Sequence, residues 1–164
     1  LDSPNVQITL IGSQQPEPRY ARHIRALSAK LGEKIPINLI PALDAAQLPQ
    51  HLSEHDILVV PSTYEGFGIV YLEGMAFGLP AIATRAGAAH ETIRHGENGY
   101  LIEPHGAGAL AEYIQRLSED RSRLLEMSLA ARKHFDNGPT WAGMSAAING
   151  FLERIILSGL RKAI

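Results

Sequence analysis

Short apolar runs rich in β-branched residues alternate along this chain with longer helical patterns, and that alternation restricts the fold more than any other feature. Val6 to Ile11 reads as a strand, followed by a polar Gln-Pro-Glu-Pro loop and a helix from about Arg19 to Leu31. The unit recurs with Ile35 to Ile40 as strand, Ala45 to Ser53 as helix, Ile57 to Val60 as strand, Ile69 to Phe77 as helix and Ala81 to Ala83 as strand. A helix near Ala88 to Arg94 and a strand at Tyr100 to Ile102 complete the pattern. The apolar runs lack period-2 alternation, as expected of strands buried on both faces. Strands and helices in this rhythm predict an α/β fold: a Rossmann-like parallel sheet flanked by helices, with right-handed crossovers. In such sheets ligands bind outside the carboxyl ends of the strands.

From Ala107 to Ile164 only helical patterns remain, two or three of them. Asn137-Gly138-Pro139 marks a stop and a restart, Gly ending one helix and Pro opening the next. Amphipathic periodicity over Trp141 to Leu160 predicts a helix lying on the domain surface. A length of 164 residues suits one domain with one core. The opening Leu1-Asp2-Ser3-Pro4-Asn5 has no initiator Met, so residues 1–164 are expected to be part of a longer chain.

Arg and Lys number 15 against 17 Asp and Glu and are scattered, which argues against a nucleic-acid partner. No apolar run reaches the ~18 residues that suggest a membrane span, and no signal peptide opens the chain. The absence of Cys excludes disulfides and thiolate chemistry and fits a reducing cytoplasm.

Pro61-Ser62-Thr63-Tyr64-Glu65-Gly66-Phe67-Gly68 lies between the Ile57–Val60 strand and the helix from Ile69, where such folds bind ligands. Gly66 and Gly68 allow a sharp turn and close approach of a ligand to the backbone, and the helix start offers unpaired N–H groups and a positive dipole end. That combination favours an anion such as phosphate. A turn that needs glycine and binds nothing has the same composition.

The helix beginning Ile69-Val70-Tyr71-Leu72-Glu73 is apolar almost all round and is predicted to be buried, with one acidic residue at Glu73. A buried carboxylate needs a partner, and a ribose diol offers two hydroxyls to its two acceptor oxygens. A salt bridge to a neighbouring Arg is the alternative. Glu65, ahead of the helix, could serve simply as a cap or dipole partner.

Glu65 and Glu73 stand eight positions apart with Gly66-Phe67-Gly68 between them, followed by Gly74-Met75-Ala76-Phe77-Gly78-Leu79-Pro80. This resembles the E-x7-E signature of group 1 glycosyltransferases of the GT-B class. The similarity extends from Asp56 to Pro104, through Gly87-Ala88-Ala89-His90-Glu91 and Gly96-Glu97-Asn98-Gly99-Tyr100. The resemblance implies the C-terminal, nucleotide-sugar-binding domain of a retaining enzyme that moves a sugar from a UDP-, GDP- or ADP-sugar to an acceptor. It implies no metal and no covalent cofactor. The partners would be the donor and an N-terminal acceptor domain of the same full-length chain. Glu65, the residue assigned to catalysis, would face the donor sugar, and Glu73 would bind the ribose. Gly66, Phe67, Gly68 and Ile69 would complete the donor site, with Glu91 a lesser candidate.

A carboxylate beside a diphosphate repels it, so Glu65 fits a reader of neutral hydroxyls. Between His51 and Arg94 the basic residues other than histidines are Arg85 and Arg94, neither in the glycine loop. Family members supply an Arg and a Lys from a strand and helix upstream of the Val6 region. That strand would lie mid-sheet, so here the Val6–Ile11 and Ile57–Val60 strands either pair directly or receive it in some other way. The chain by itself is then expected to bind nucleotide weakly and to transfer no sugar.

None of the seven histidines shows a metal spacing embedded in a site; His51 and His55 are four apart but lack a third ligand. Ser62 lacks the Gly-x-Ser-x-Gly elbow of a nucleophile. Two alternatives share the fold class: a GT-B sugar-nucleotide epimerase, and a non-enzymatic flavodoxin-like binding or receiver domain. In a receiver the phosphorylated Asp follows its strand, whereas Asp56 precedes one.

Overall fold

Each strand pairing in the computed structural model, which describes residues 6–13, 15–32, 34–138 and 140–160, is parallel. The elements run β1 (Ile8–Ile11), α1 (Pro18–Leu31), β2 (Ile37–Ile40), α2 (Leu48–Ser53), β3 (Leu58–Val60), α3 (Ile69–Ala76) and β4 (Ala81–Thr84). They continue with α4 (Ala89–Thr92), β5 (Gly99–Ile102), α5 (Ala107–Glu119), α6 (Arg121–Asp136) and α7 (Trp141–Leu160). The α/β architecture with helix-flanked parallel sheets is the one predicted.

The strands do not form one sheet. Among the described residues β1 pairs with β2, and β3-β4-β5 form a separate three-stranded sheet, with no ladder between β1 and β3. Direct pairing of those two strands is thereby corrected. In β1 the N–H groups of Ile8 and Gly12 point to β2, so alternation leaves Thr9 and Ile11 facing the open edge. The side chain of His55, just before β3, reaches Thr9 Oγ1 at 2.8 Å and links the two sheets.

The core sits on β4 and β5, which are buried along their whole length. Ala81, Ala83 and Leu101 face Tyr71, Met75, Ala89, Ile93 and Ala131 on one side. Ile82, Tyr100 and Ile102 face Leu117, Leu124 and Met127 on the other. Both faces are covered by helices, which is why these strands show no polar alternation. Completely burying a methionine such as Met75 stabilises by about 1.5–3 kcal/mol.

Several boundaries differ from the sequence reading for local reasons. Asp44 Oδ1 accepts from Ala46 and Gln47 N–H at 3.0 and 2.9 Å, so residues 45–47 form an Asx-type turn and α2 starts three residues later than expected. Asn98 Oδ1 accepts the Arg94 N–H at 2.7 Å, and Ile93 is extended, so α4 stops at Thr92. α6 ends on Asn137 in the right-handed region, and Gly138 is not among the positive-φ glycines; Pro139 lies outside the described residues. The α7 helix forms, but Met144, Ile148, Phe151 and Leu152 are exposed, so its apolar stripe is not docked as expected.

Candidate functional site

The segment 61–68 leaves the carboxyl end of β3 and enters α3 through Gly68, whose φ of 78° is left-handed. A Cβ there would stand 2.4 Å from Tyr71 Cδ2, so only glycine fits above that ring. The Gly68 N–H donates to Glu65 Oε1 at 3.1 Å. This bond ties the carboxylate to the residue ahead of the helix; no side chain caps the first turn of α3, so Glu65 is not a helix cap.

The segment following β4 secures the other side of the loop. Glu65 and Gly87 form an isolated parallel bridge, and the Ala88 N–H donates to the Glu65 carbonyl at 2.9 Å. Gly87 has φ 75°, and a Cβ on it would lie 1.9 Å from that carbonyl oxygen. The buried Thr84 hydroxyl donates to the Ser62 carbonyl. Both anchors come from the carboxyl end of β4, so the loop spans two neighbouring strand ends.

On its open side the loop presents Tyr64, Phe67 and Ile69, all well exposed. Gly66 is open as well, with nothing near a would-be Cβ. The Gly66 and Phe67 N–H groups make no hydrogen bond among the described residues, so donors remain available to an arriving acceptor.

Burial of Glu73 is not observed. α3 buries Tyr71, Gly74 and Met75 and turns Glu73 to solvent on the same face as Ile69, four residues earlier. The helix composition hid this because Ile69 and Phe77 are themselves exposed apolar residues. Glu73 makes no hydrogen bond or ion pair among the described residues, so the salt bridge is absent and no burial cost demands a partner. Its carboxylate is open to a ligand. Glu91 is exposed in the short α4, which follows the Gly87 bridge.

The two Arg of the surrounding stretch are both held in ion pairs. Arg85 pairs with Glu103 at 3.2 Å and Arg94 with Glu97 at 3.2 Å, both outside the loop. Among the described residues no three metal-type ligands converge. His55 Nδ1 lies 2.6 Å from the His51 carbonyl, which can only accept, so Nδ1–H donates there, and Nε2 lies 2.8 Å from the Thr9 hydroxyl. Both ring nitrogens are occupied. Asp56 pairs with Arg121 at 3.1 Å ahead of β3, away from the strand's carboxyl end.

Two contributors escaped the sequence reading. Gly87 sits in a Gly-Ala-Ala-His run whose contact with Glu65 is long-range. Tyr71 looked like one more apolar position, yet it is completely buried with a hydroxyl that has no partner among the described residues. Leaving a buried donor unmet costs about 1–3 kcal/mol. Burial, and then the Glu65 carboxylate, pushes the Tyr71 phenol pKa up.

Residues 1–134 match the family described as glycosyl transferases group 1. The chain belongs to that family. The matched span holds every candidate site residue and ends before α7. A D-inositol 3-phosphate glycosyltransferase of Thermobispora bispora is 33% identical over 132 residues, covering 79% of this chain and 31% of the relative. The chain spans about a third of the length of the curated glycosyltransferases it matches. Among solved structures, Anabaena HepE in complex with UDP superimposes with a TM-score of 0.83 at 27% identity, over 93% of this chain and 42% of that one. The sucrose-phosphate synthase of Thermosynechococcus elongatus gives 0.78 at 28% identity, over 93% and 39%. The fold is thus that of GT-B glycosyltransferases, and among the described residues no helix is long and apolar enough to cross a membrane.

Proposed function

We propose that this chain is the donor-binding domain of a retaining glycosyltransferase that transfers a sugar from a nucleoside diphosphate sugar to an acceptor. The observation that carries this is the glycine loop at the carboxyl end of β3, with unpaired Gly66 and Phe67 N–H groups beside two carboxylates that differ in setting. Half-buried Glu65 lies at the start of α3 and exposed Glu73 on its open face. The UDP complex of HepE, a structural neighbour, supports a nucleoside diphosphate as the ligand class.

Glu73 accepts the ribose hydroxyls, Glu65 faces the sugar hydroxyls, and Gly66, Phe67, Gly68 and Ile69 line the sugar and diphosphate. Glu91 approaches from α4. During transfer the bond from the anomeric carbon to the diphosphate oxygen breaks with its electron pair on the leaving group. The acceptor oxygen bonds to the same face of that carbon and gives up its proton to the departing diphosphate oxygen. The N–H groups at the loop oppose the growing negative charge on the diphosphate. An N-terminal domain of the full-length protein supplies the acceptor site, and cations from outside the loop neutralise the diphosphate. No metal ion or covalent cofactor takes part. The enzyme works in the cytoplasm, where a chain without Cys loses nothing to reducing conditions.

Calorimetric titration with UDP, GDP, ADP and their sugars, before and after treatment with a chelator, tests this. Weak, chelator-insensitive binding of one nucleotide family is expected. Absence of heat with every nucleotide at about millimolar concentration, where a site of only 4 kcal/mol would register, overturns the assignment.

A further inference from the structure

Tyr71 is completely buried and its hydroxyl has no hydrogen-bond partner among the described residues. Phenylalanine would fill the same space without an orphaned donor, so the hydroxyl needs another explanation. Its surroundings supply one. The Tyr71 ring lies directly under Gly68, close enough that a Cβ on Gly68 would meet Cδ2 and Cε2 at 2.4 and 2.5 Å. Gly68 holds Glu65 Oε1 at 3.1 Å, and no protein group holds Oε2 among the described residues. Burial, and then the Glu65 carboxylate held at Gly68, pushes the phenol pKa up.

Glu65 therefore occupies a backbone donor at the mouth of the site. A phosphate and a carboxylate cannot share that N–H, because like charges at contact distance repel. An arriving diphosphate sugar that takes the Gly68 N–H must displace Glu65, and the ring beneath Gly68 carries an unmet hydroxyl that can donate to it.

Resting on the donor-binding assignment above, we propose that Tyr71 is a positioning residue for Glu65: when the donor takes the Gly68 N–H, the Glu65 carboxylate shifts to accept the Tyr71 hydroxyl and is held toward the sugar hydroxyls. A carboxylate offers about four acceptor positions on two oxygens, so one bond to Tyr71 leaves room for the sugar. Tyr71 itself stays buried and touches no substrate.

The test compares wild type, Tyr71→Phe, Glu65→Ala and the double variant in titrations with UDP and UDP-glucose, alongside thermal melts. Tyr71→Phe is expected to weaken UDP-glucose binding about tenfold, the loss of one hydrogen bond to a charged group, and UDP binding with it, because the diphosphate alone displaces Glu65. Its melting temperature stays level or rises, because an unmet buried donor has been removed. In the Glu65→Ala background, Tyr71→Phe should change neither affinity by more than about twofold. Wild-type affinity for both UDP and UDP-glucose in Tyr71→Phe overturns the proposal while leaving the donor assignment intact. Wild type that binds neither is titrated with GDP, ADP and their sugars in the same way, and absence of heat with all of them removes the assignment and this proposal together. Should Tyr71→Phe not fold, ring-labelled tyrosine NMR of the wild type decides: the Tyr71 Cζ resonance should move on adding UDP-glucose, and a stationary resonance at saturation rejects the shift of Glu65.

Discussion

Glu65 and Gly87 meet so closely that a Cβ on Gly87 would lie 1.9 Å from the Glu65 carbonyl oxygen. The contact joins the carboxyl ends of β3 and β4 and sets the backbone from which the Glu65 carboxylate projects.

Gly87→Ala is accordingly expected to harm both stability and binding. The left-handed φ of 75° alone costs a non-glycine residue about 1–3 kcal/mol, and the collision pushes the Glu65 segment outward. Urea denaturation should show a lowered midpoint, and nucleotide titration a weaker affinity. An alanine variant with wild-type values in both would show that the bridge positions nothing.

Glu73→Ala separates binding from folding. The side chain is exposed and has no protein partner among the described residues, so stability should change by no more than about 0.5 kcal/mol. Nucleotide affinity should nevertheless fall about tenfold or more as the ribose loses its acceptor. Equal binding by variant and wild type would remove Glu73 from the site.

Alkaline stability reports on Tyr71. Its phenol pKa is raised above 10.0 by burial and then by Glu65, so the folded protein keeps a proton that the unfolded chain releases. With more protons bound in the folded state, stability is intact below about pH 9 and declines as pH rises past 10. Tyr71→Phe should flatten that decline in thermal melts at increasing pH. A variant that loses stability as steeply as wild type would place the titration elsewhere.

Asn98 is a purely structural test. It is buried, accepts the Arg94 N–H at 2.7 Å and donates to the Thr92 carbonyl at 3.1 Å, closing the turn between α4 and β5. Asn98→Ala leaves those groups unmet at a cost of about 1–3 kcal/mol. The urea midpoint should drop at unchanged slope, with nucleotide affinity preserved; a lost affinity would tie this turn to the site.

Local chemistry made much of the fold legible. Hydrophobic runs without polar alternation are what two-sided burial of β4 and β5 requires, and Gly66-Phe67-Gly68 after a short strand announces a turn into a helix whichever ligand it meets. The helix limits were less legible, since Asp44 and Asn98 draw backbone N–H groups into turns that propensity alone does not show.

The sequence by itself determined the order of strands and helices, the glycine loop at a strand's carboxyl end, and the spacing of Glu65 and Glu73 that marks the family. All of these depend on neighbours within a few residues. Tertiary structure alone decided that Glu73 faces solvent, that Tyr71 carries an unmet hydroxyl beneath Gly68, that Gly87 presses on Glu65, and that β1 and β3 remain unpaired. Each depends on groups distant in sequence or on which side of a helix meets the sheet, and an almost uniformly apolar helix carries no periodic signal of that side.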